Sequence, residues 1–366
     1  MRLAFQQRLT RFLGTRGEAA LGVSQLFRSK ARVLTLLLVL LLFTYAGFQL
    51  LYMPVDMNIC QKTPRLKETS QAEEDNITIV TMYLNIGTYK KTSFLFFSKE
   101  WFGTSHYRDW LFSWGKLNNR VIAFFDDEEF IHQFRLRRAH LPEDYTKIVK
   151  INRQDLSAFK YQERVREITA QPSFTVSYPP EYTCTMDAKY DALQMALEME
   201  DIKTNYLAWM DIGLFRKIQL EDPPFLLKVP ADFNSSKVGF SQVSPYKSIS
   251  DLTPEEIYQR NLVWVAGGFV LGTKKVLSEF ISAYKTTVQT LLGRGLADTD
   301  QQVVASMYSS KLAWQQKVQI MTYACPRGSF NLFGYAYLYF CLPYICRATS
   351  QCRSQQLHTF KYLPTP

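Results

Sequence analysis

Four short strings in this chain carry the residue types for polar chemistry. Tyr206-Leu-Ala-Trp-Met-Asp-Ile-Gly213 is an apolar run that ends on Asp211. A carboxylate at the end of a buried strand lies at the rim of a sheet, where with a substrate diphosphate it can hold Mg2+ or Mn2+. The alternative is that Asp211 caps the turn that follows. Phe124-Phe-Asp-Asp-Glu-Glu129 places Asp126 at a second strand end. There it would accept hydrogen bonds from a ribose or a base; the other reading is an acidic helix start, which suits Glu128 and Glu129 better. Trp264-Val-Ala-Gly-Gly-Phe-Val-Leu-Gly272 has Gly267 and Gly268 inside a strand pattern, the sign of a packing bulge or of a close ligand approach. Leu296-Ala-Asp-Thr-Asp-Gln-Gln302 sets Asp298, Asp300 and Gln301 at a helix start, either facing a sugar or simply capping the helix.

Several other chemistries are excluded. There is no G-x-S-x-G, no H-E-x-x-H, no Walker A and no G-x-G-x-x-G. The four His residues are not spaced as metal pairs. The six Cys contain no C-x-x-C and match no zinc spacing, and four of them lie near the C-terminus. Disulfides in that segment are the expectation in an oxidising compartment, the alternative being buried thiols.

The elements that must position these residues alternate between strand and helix. Strands are predicted at 77–84, 121–125, 147–151, 206–210, 238–240, 262–266 continuing to 272, and 318–322. Helices are predicted at 96–116, 130–140, 189–200, 276–290 and 300–308, the last with Thr299 or Asp300 as its cap. Such alternation implies an α/β fold with a mostly parallel sheet flanked by helices. Ligands then sit outside the carboxyl ends of the strands, which is where Asp126 and Asp211 fall.

Composition and charge bound the rest. The chain has 366 residues, 47% hydrophobic and 21% charged, which excludes a disordered chain, a collagen or a coiled-coil rod. The net charge is +10. Much of it lies in a short leader, residues 1–32, and not on a folded face, so nucleic acid is not an expected partner. Residues 33–53 are free of charge and long enough to span a bilayer. Arg28, Lys30 and Arg32 precede this run, and Asp56, Glu73, Glu74 and Asp75 follow it. The positive-inside rule then predicts a cytosolic tail at 1–32 and a transmembrane signal anchor at 33–53. A polar stem at 54–75, a lumenal domain at 76–345 and a C-terminal tail at 346–366 complete the expected plan. Asn76-Ile-Thr and Asn234-Ser-Ser are glycosylation sequons consistent with that side of the membrane.

The strings Ile79-Val-Thr-Met-Tyr-Leu-Asn-Ile-Gly87, Ala123-Phe-Phe-Asp126, Trp209-Met-Asp-Ile-Gly213 with Arg216, Gly267-Gly268-Phe269 and Asp298-Thr-Asp-Gln-Gln302, in this order, resemble the HtrL/YibB family. The resemblance covers roughly residues 76–325. It implies a nucleotide-sugar glycosyltransferase of the GT-A type, with a GT-A-like mostly parallel sheet. In that fold a D-x-D motif ends a strand and holds Mn2+; here Trp209-Met-Asp-Ile-Gly213 stands in its place with one Asp. The resemblance assigns Asp211 to the metal (Mn2+ or Mg2+). It assigns Asp126, Arg216, Gly267 and Gly268 to the donor, and Asp298, Asp300 and Gln301 to catalysis. The implied partners are a nucleotide-sugar donor and a glycan or glycoconjugate acceptor. The implied setting is the Golgi membrane in type II orientation. The alternative is an inactive, membrane-anchored glycan- or protein-binding module on the same fold.

Overall fold

A computed structural model describes residues 77–92, 99–171, 178–218, 221–244, 249–312, 318–325 and 338–351. The predicted span 33–53, the stem, Asn76, Cys60 and Cys352 lie outside them. Among the described residues no helix is long and apolar enough to cross a membrane.

Seven strands form the central sheet. They are β1 (Ile77–Tyr83), β4 (Val121–Phe125), β5 (Thr146–Lys150), β6 (Tyr206–Met210), β7 (Lys237–Gln242), β8 (Val265–Thr273) and β9 (Gln319–Tyr323), in the spatial order β5-β4-β1-β6-β8-β7-β9. A separate antiparallel pair, β2 (Tyr89–Thr92) with β3 (Lys99–Phe102), stands beside it. β1 pairs in parallel with β4 and β6, and β4 with β5. β8 runs antiparallel to both of its neighbours, β6 and β7, and β7 is parallel to β9. The expected mixed α/β fold with a mostly parallel sheet is therefore what the chain adopts.

Alternation along the strands builds two cores. Val80, Met82, Phe124, Leu207 and Trp209 face one layer. Ile77, Ile79, Ala123, Phe125, Ala208 and Met210 face the other. A sheet covered on both sides has apolar residues on both faces, which is why Val121–Phe125 reads as an unbroken apolar run. Phe124 and Phe125 are wholly buried on opposite faces, each contributing about 1.5–3 kcal/mol by burial.

The first layer is covered by α3 (Gln162–Thr169), α4 (Pro180–Leu197), α5 (Pro254–Gln259), α6 (Lys274–Gly293) and α7 (Asp300–Met307). The second is covered by α1 (Thr104–Trp110), α2 (Glu128–Arg138) and α8 (Cys341–Gln351). Asp127 caps α2 by accepting the Phe130 N–H at 2.8 Å, and Glu128 and Glu129 fill its first turn.

Three expectations change. Residues 96–116 do not form one helix; the described part is β3, the short α1 and a 3-10 turn at Leu111–Lys116. Gly103 breaks the run in extended backbone, and Trp101 is 55% exposed. Residues 262–272 are not strand throughout: one strand begins at Val265. A boundary at 345/346 falls inside α8, where Cys346 and Arg347 are buried, so the folded part runs on to Gln351. Of the C-terminal cysteines, Cys325 and Cys341 form a disulfide, while Cys346 is a buried free thiol, as is Cys184 on α4.

Candidate functional site

The reversed strand sets the geometry of the site. β6 ends at Met210, which pairs with Phe269 of β8. Because β8 is antiparallel, its amino-terminal half lies beside the carboxyl end of β6. The Asp211 N–H consequently donates to the Gly268 carbonyl at 2.9 Å. Against β7 the register jumps from Phe240–Val270 to Ser241–Ala266, leaving Gly267, Gly268 and Phe269 as a bulge. The bulge reading of the two glycines is correct, and the bulge lies in the site.

Asp211, Arg216, Gly267, Gly268, Asp298, Asp300 and Gln301 all line one cavity of about 600 Å3. It opens outside the carboxyl ends of β1 and β6, the usual place for a ligand in an α/β sheet. Its volume is in the range of small-molecule sites. Tyr89, Tyr107, Trp110, Tyr178 and Tyr182 add an aromatic wall, and Gly213 seats Trp110: a Cβ there would lie 2.5 Å from its ring. Arg216 is exposed. Its guanidinium lies 5.2 Å from the centroid of Trp110 and 5.8 Å from that of Phe340. Asn261, also in the lining, holds a left-handed φ of 46° and accepts from Gln302 Nε2 at 2.7 Å.

Asp126 does not join this group. Its Oδ1 accepts the Asn85 N–H at 2.8 Å and so ties down the turn after β1. Burial raises its pKa, while the Asn85 N–H and Arg153 work against the rise.

The centre of the site is a residue that the sequence patterns passed over. Lys189 of α4 is 1% exposed. Its Nζ lies 3.0 Å from Asp300 Oδ2 and 3.6 Å from Asp211 Oδ1, and it donates to the Gly267 carbonyl at 3.1 Å. Burial alone would lower its pKa, but Asp211 and Asp300 outweigh it and hold the ammonium above its ordinary value. Asp211 Oδ1 also accepts the Trp209 indole N–H at 2.6 Å. Among the described residues Asp211 Oδ2 accepts no hydrogen bond; the side chain is 40% exposed in the cavity wall.

The helix-start residues divide. Asp300 is 2% exposed and turned onto Lys189; burial raises its pKa, and Lys189 counteracts this. Asp298 is 4% exposed and accepts the Thr299 N–H at 2.9 Å. Burial pushes its pKa to about 7, with Thr299 opposing. Of the two residues expected to cap α7, Thr299 holds the N-cap position, although its side chain makes no capping bond. Gln301 is half-buried at the cavity wall.

Gly267 is shaped by the protein itself. A Cβ on it would lie 1.8 Å from Asp300 Oδ2, so the close approach is made by a carboxylate of the chain. For a divalent cation the fit is poor. Asp211 Oδ1 is held by an indole N–H and lies beside an ammonium, and Asp300 is paired with the same ammonium. Among the described residues no group of three or more His, Cys, Asp or Glu side chains is arranged to hold a metal. Asn234 is exposed, in a turn where its Oδ1 accepts from the Ser236 N–H at 2.9 Å.

No curated protein matches the chain. Among solved structures it is similar to mouse xyloside xylosyltransferase 1 in its apo form, with 9% identity over 72% of this chain and 93% of that one, at a TM-score of 0.37. It is also similar to the PaToxG glycosyltransferase, with 11% identity over 64% of this chain and 69% of that one, at a TM-score of 0.30. The family model described as "Bacterial protein of unknown function (HtrL_YibB)" matches residues 75–316, which include β1 to β8, α7 and every residue of the cavity named above except Phe340. The chain belongs to the HtrL_YibB family.

Proposed function

We propose that this protein is a GT-A-like glycosyltransferase that moves a sugar from a nucleotide-sugar to a hydroxyl of a glycan or glycoconjugate. One observation carries the reading: Asp211, Arg216 and an aromatic wall meet in one cavity at the carboxyl ends of β1 and β6. Arg216 supplies positive charge and forked donors for the diphosphate. The aromatic wall offers apolar faces to a base or a sugar ring. In the transfer, the bond from the anomeric carbon to the diphosphate oxygen breaks and the nucleoside diphosphate leaves. A bond forms from the acceptor oxygen to that carbon, and the acceptor proton passes to a carboxylate. Asp211 Oδ2 is the exposed carboxylate oxygen at the site, so we assign that proton to it. Gln301 orients sugar hydroxyls, while Asp298 and Asp300 support the wall from behind. An anchor at 33–53, with the folded part in the Golgi lumen and Asn76 and Asn234 glycosylated, belongs to the same proposal.

The test is thermal unfolding of the purified full chain against UDP, GDP and CMP and their sugar conjugates. A ligand at 100 times its dissociation constant adds about 2.7 kcal/mol of stability. A shift with one nucleotide class supports the reading and names the donor family. A folded sample that responds to none of them points instead to a binding module without turnover.

A further inference from the structure

The partners of Lys189 Nζ are all oxygens: one from Asp300, one from Asp211 and the carbonyl of Gly267. Carboxylate and carbonyl oxygens around one positive centre are the surroundings that a hard divalent cation takes. Here the centre is an ammonium on α4. Three further features hold it there. The Trp209 ring lies 5.7 Å from Nζ, adding a cation–π contact. The Trp209 indole N–H fixes Asp211 Oδ1 on the same side. Gly267 leaves room for the Asp300 carboxylate, as no residue with a Cβ would.

We propose that Lys189 is the built-in cation of this site, standing between Asp211 and Asp300 where a divalent metal would otherwise bind, so that the site works without one. Lys189 is a positioning residue: it turns Asp211 Oδ1 inward and leaves Oδ2 to the cavity. A metal bonded to Oδ2 would face the ammonium as a like charge. The inference rests on the transferase reading only where it speaks of the donor; the absence of metal from the Asp211 site is a separate property.

The experiment uses the full chain stripped with EDTA and titrated with Mn2+, with free Mn2+ followed by electron paramagnetic resonance. Wild type, Asp211→Asn and Lys189→Ala are compared. Wild type is expected to take up no Mn2+ that Asp211→Asn loses. Lys189→Ala, which opens a gap between two carboxylates, is expected to bind Mn2+ about tenfold or more tighter than wild type, a difference of about 1.4 kcal/mol. The melting shift of wild type with its nucleotide is expected to be equal in EDTA and in Mn2+. Uptake by wild type that disappears in Asp211→Asn overturns the proposal, and so does a folded Lys189→Ala that gains none. If Lys189→Ala does not fold, the wild type and Asp211→Asn pair decides alone. No shift with any nucleotide would remove the transferase reading and leave the Mn2+ comparison standing.

Discussion

The Asp300 carboxylate lies against the backbone of Gly267, so close that a methyl group there would sit 1.8 Å from Oδ2. Gly267→Ala must push Asp300 off Lys189 or shift β8. The expected cost is about 1–3 kcal/mol from overpacking, with the weakened buried pair adding to it. At Gly268 the same methyl group would meet Leu214 at 3.3 Å and Asp211 Oδ2 at 3.4 Å, so Gly268→Ala should cost less than half as much. Urea unfolding of the two variants beside wild type measures the difference. Equal stabilities would mean that the Asp300 contact is not tight in solution.

Asp187 on α4 is buried and accepts from Tyr284 Oη at 2.5 Å and Tyr161 Oη at 2.9 Å. Burial pushes its pKa to about 7, although both hydroxyls oppose the rise. A carboxyl whose pKa is higher in the folded state than in the unfolded one favours folding when protonated. That contribution is full below about pH 4 and is lost as pH rises through about 7. Asp187→Asn should remove it. Between pH 4 and 7, wild type should therefore lose stability relative to the variant, as read by denaturant titrations at each pH. A difference that stays constant with pH would contradict the shift.

Arg216 is exposed, with Nη1 donating to the Gly213 carbonyl at 3.1 Å and the guanidinium over Trp110. Its loss should leave the fold nearly unchanged. If it meets the diphosphate, Arg216→Ala should weaken nucleotide binding by roughly 10- to 100-fold, the size of a charge-assisted hydrogen bond. Arg216→Lys should restore part of the affinity, since a point charge lacks the fork. Calorimetric titration with the nucleotide found in the melting panel gives the answer. Unchanged affinity in Arg216→Ala would place the phosphates elsewhere.

Much of the frame was legible because its strands are buried on both faces and end on charged residues. Val121–Phe125 and Tyr206–Met210 lie at the expected positions, each followed by Asp. The direction of β8 was not legible: Val265–Thr273 has the same apolar composition in either orientation. Lys189 was missed because a lysine in a helical pattern reads as a solvent-facing residue. The signal against that was present in Asp187-Ala-Lys-Tyr-Asp191, five successive residues that are all buried. A helical stretch with all of its residues buried must pair its charges internally. At Asp126 the strand end alone did not show the partner: a strand-end carboxylate can serve the backbone of the next loop as readily as a ligand, and here Oδ1 accepts the Asn85 N–H.

The partners of Lys189 have a consequence for the order of synthesis. Gly267 is 78 positions further along the chain, and Asp300 is 111. Contacts at such separations form late, after the intervening chain has closed its loops. A growing chain that has passed β6 but not yet reached α7 holds a lysine meant for burial with Asp211 at hand but without Asp300, the nearer of its two carboxylates. The pairing of Lys189 is therefore incomplete until α7 arrives. The ion pair at the centre of the site can thus close only once the chain extends past Asp300, and a fully paired Lys189 marks a chain folded at least as far as α7.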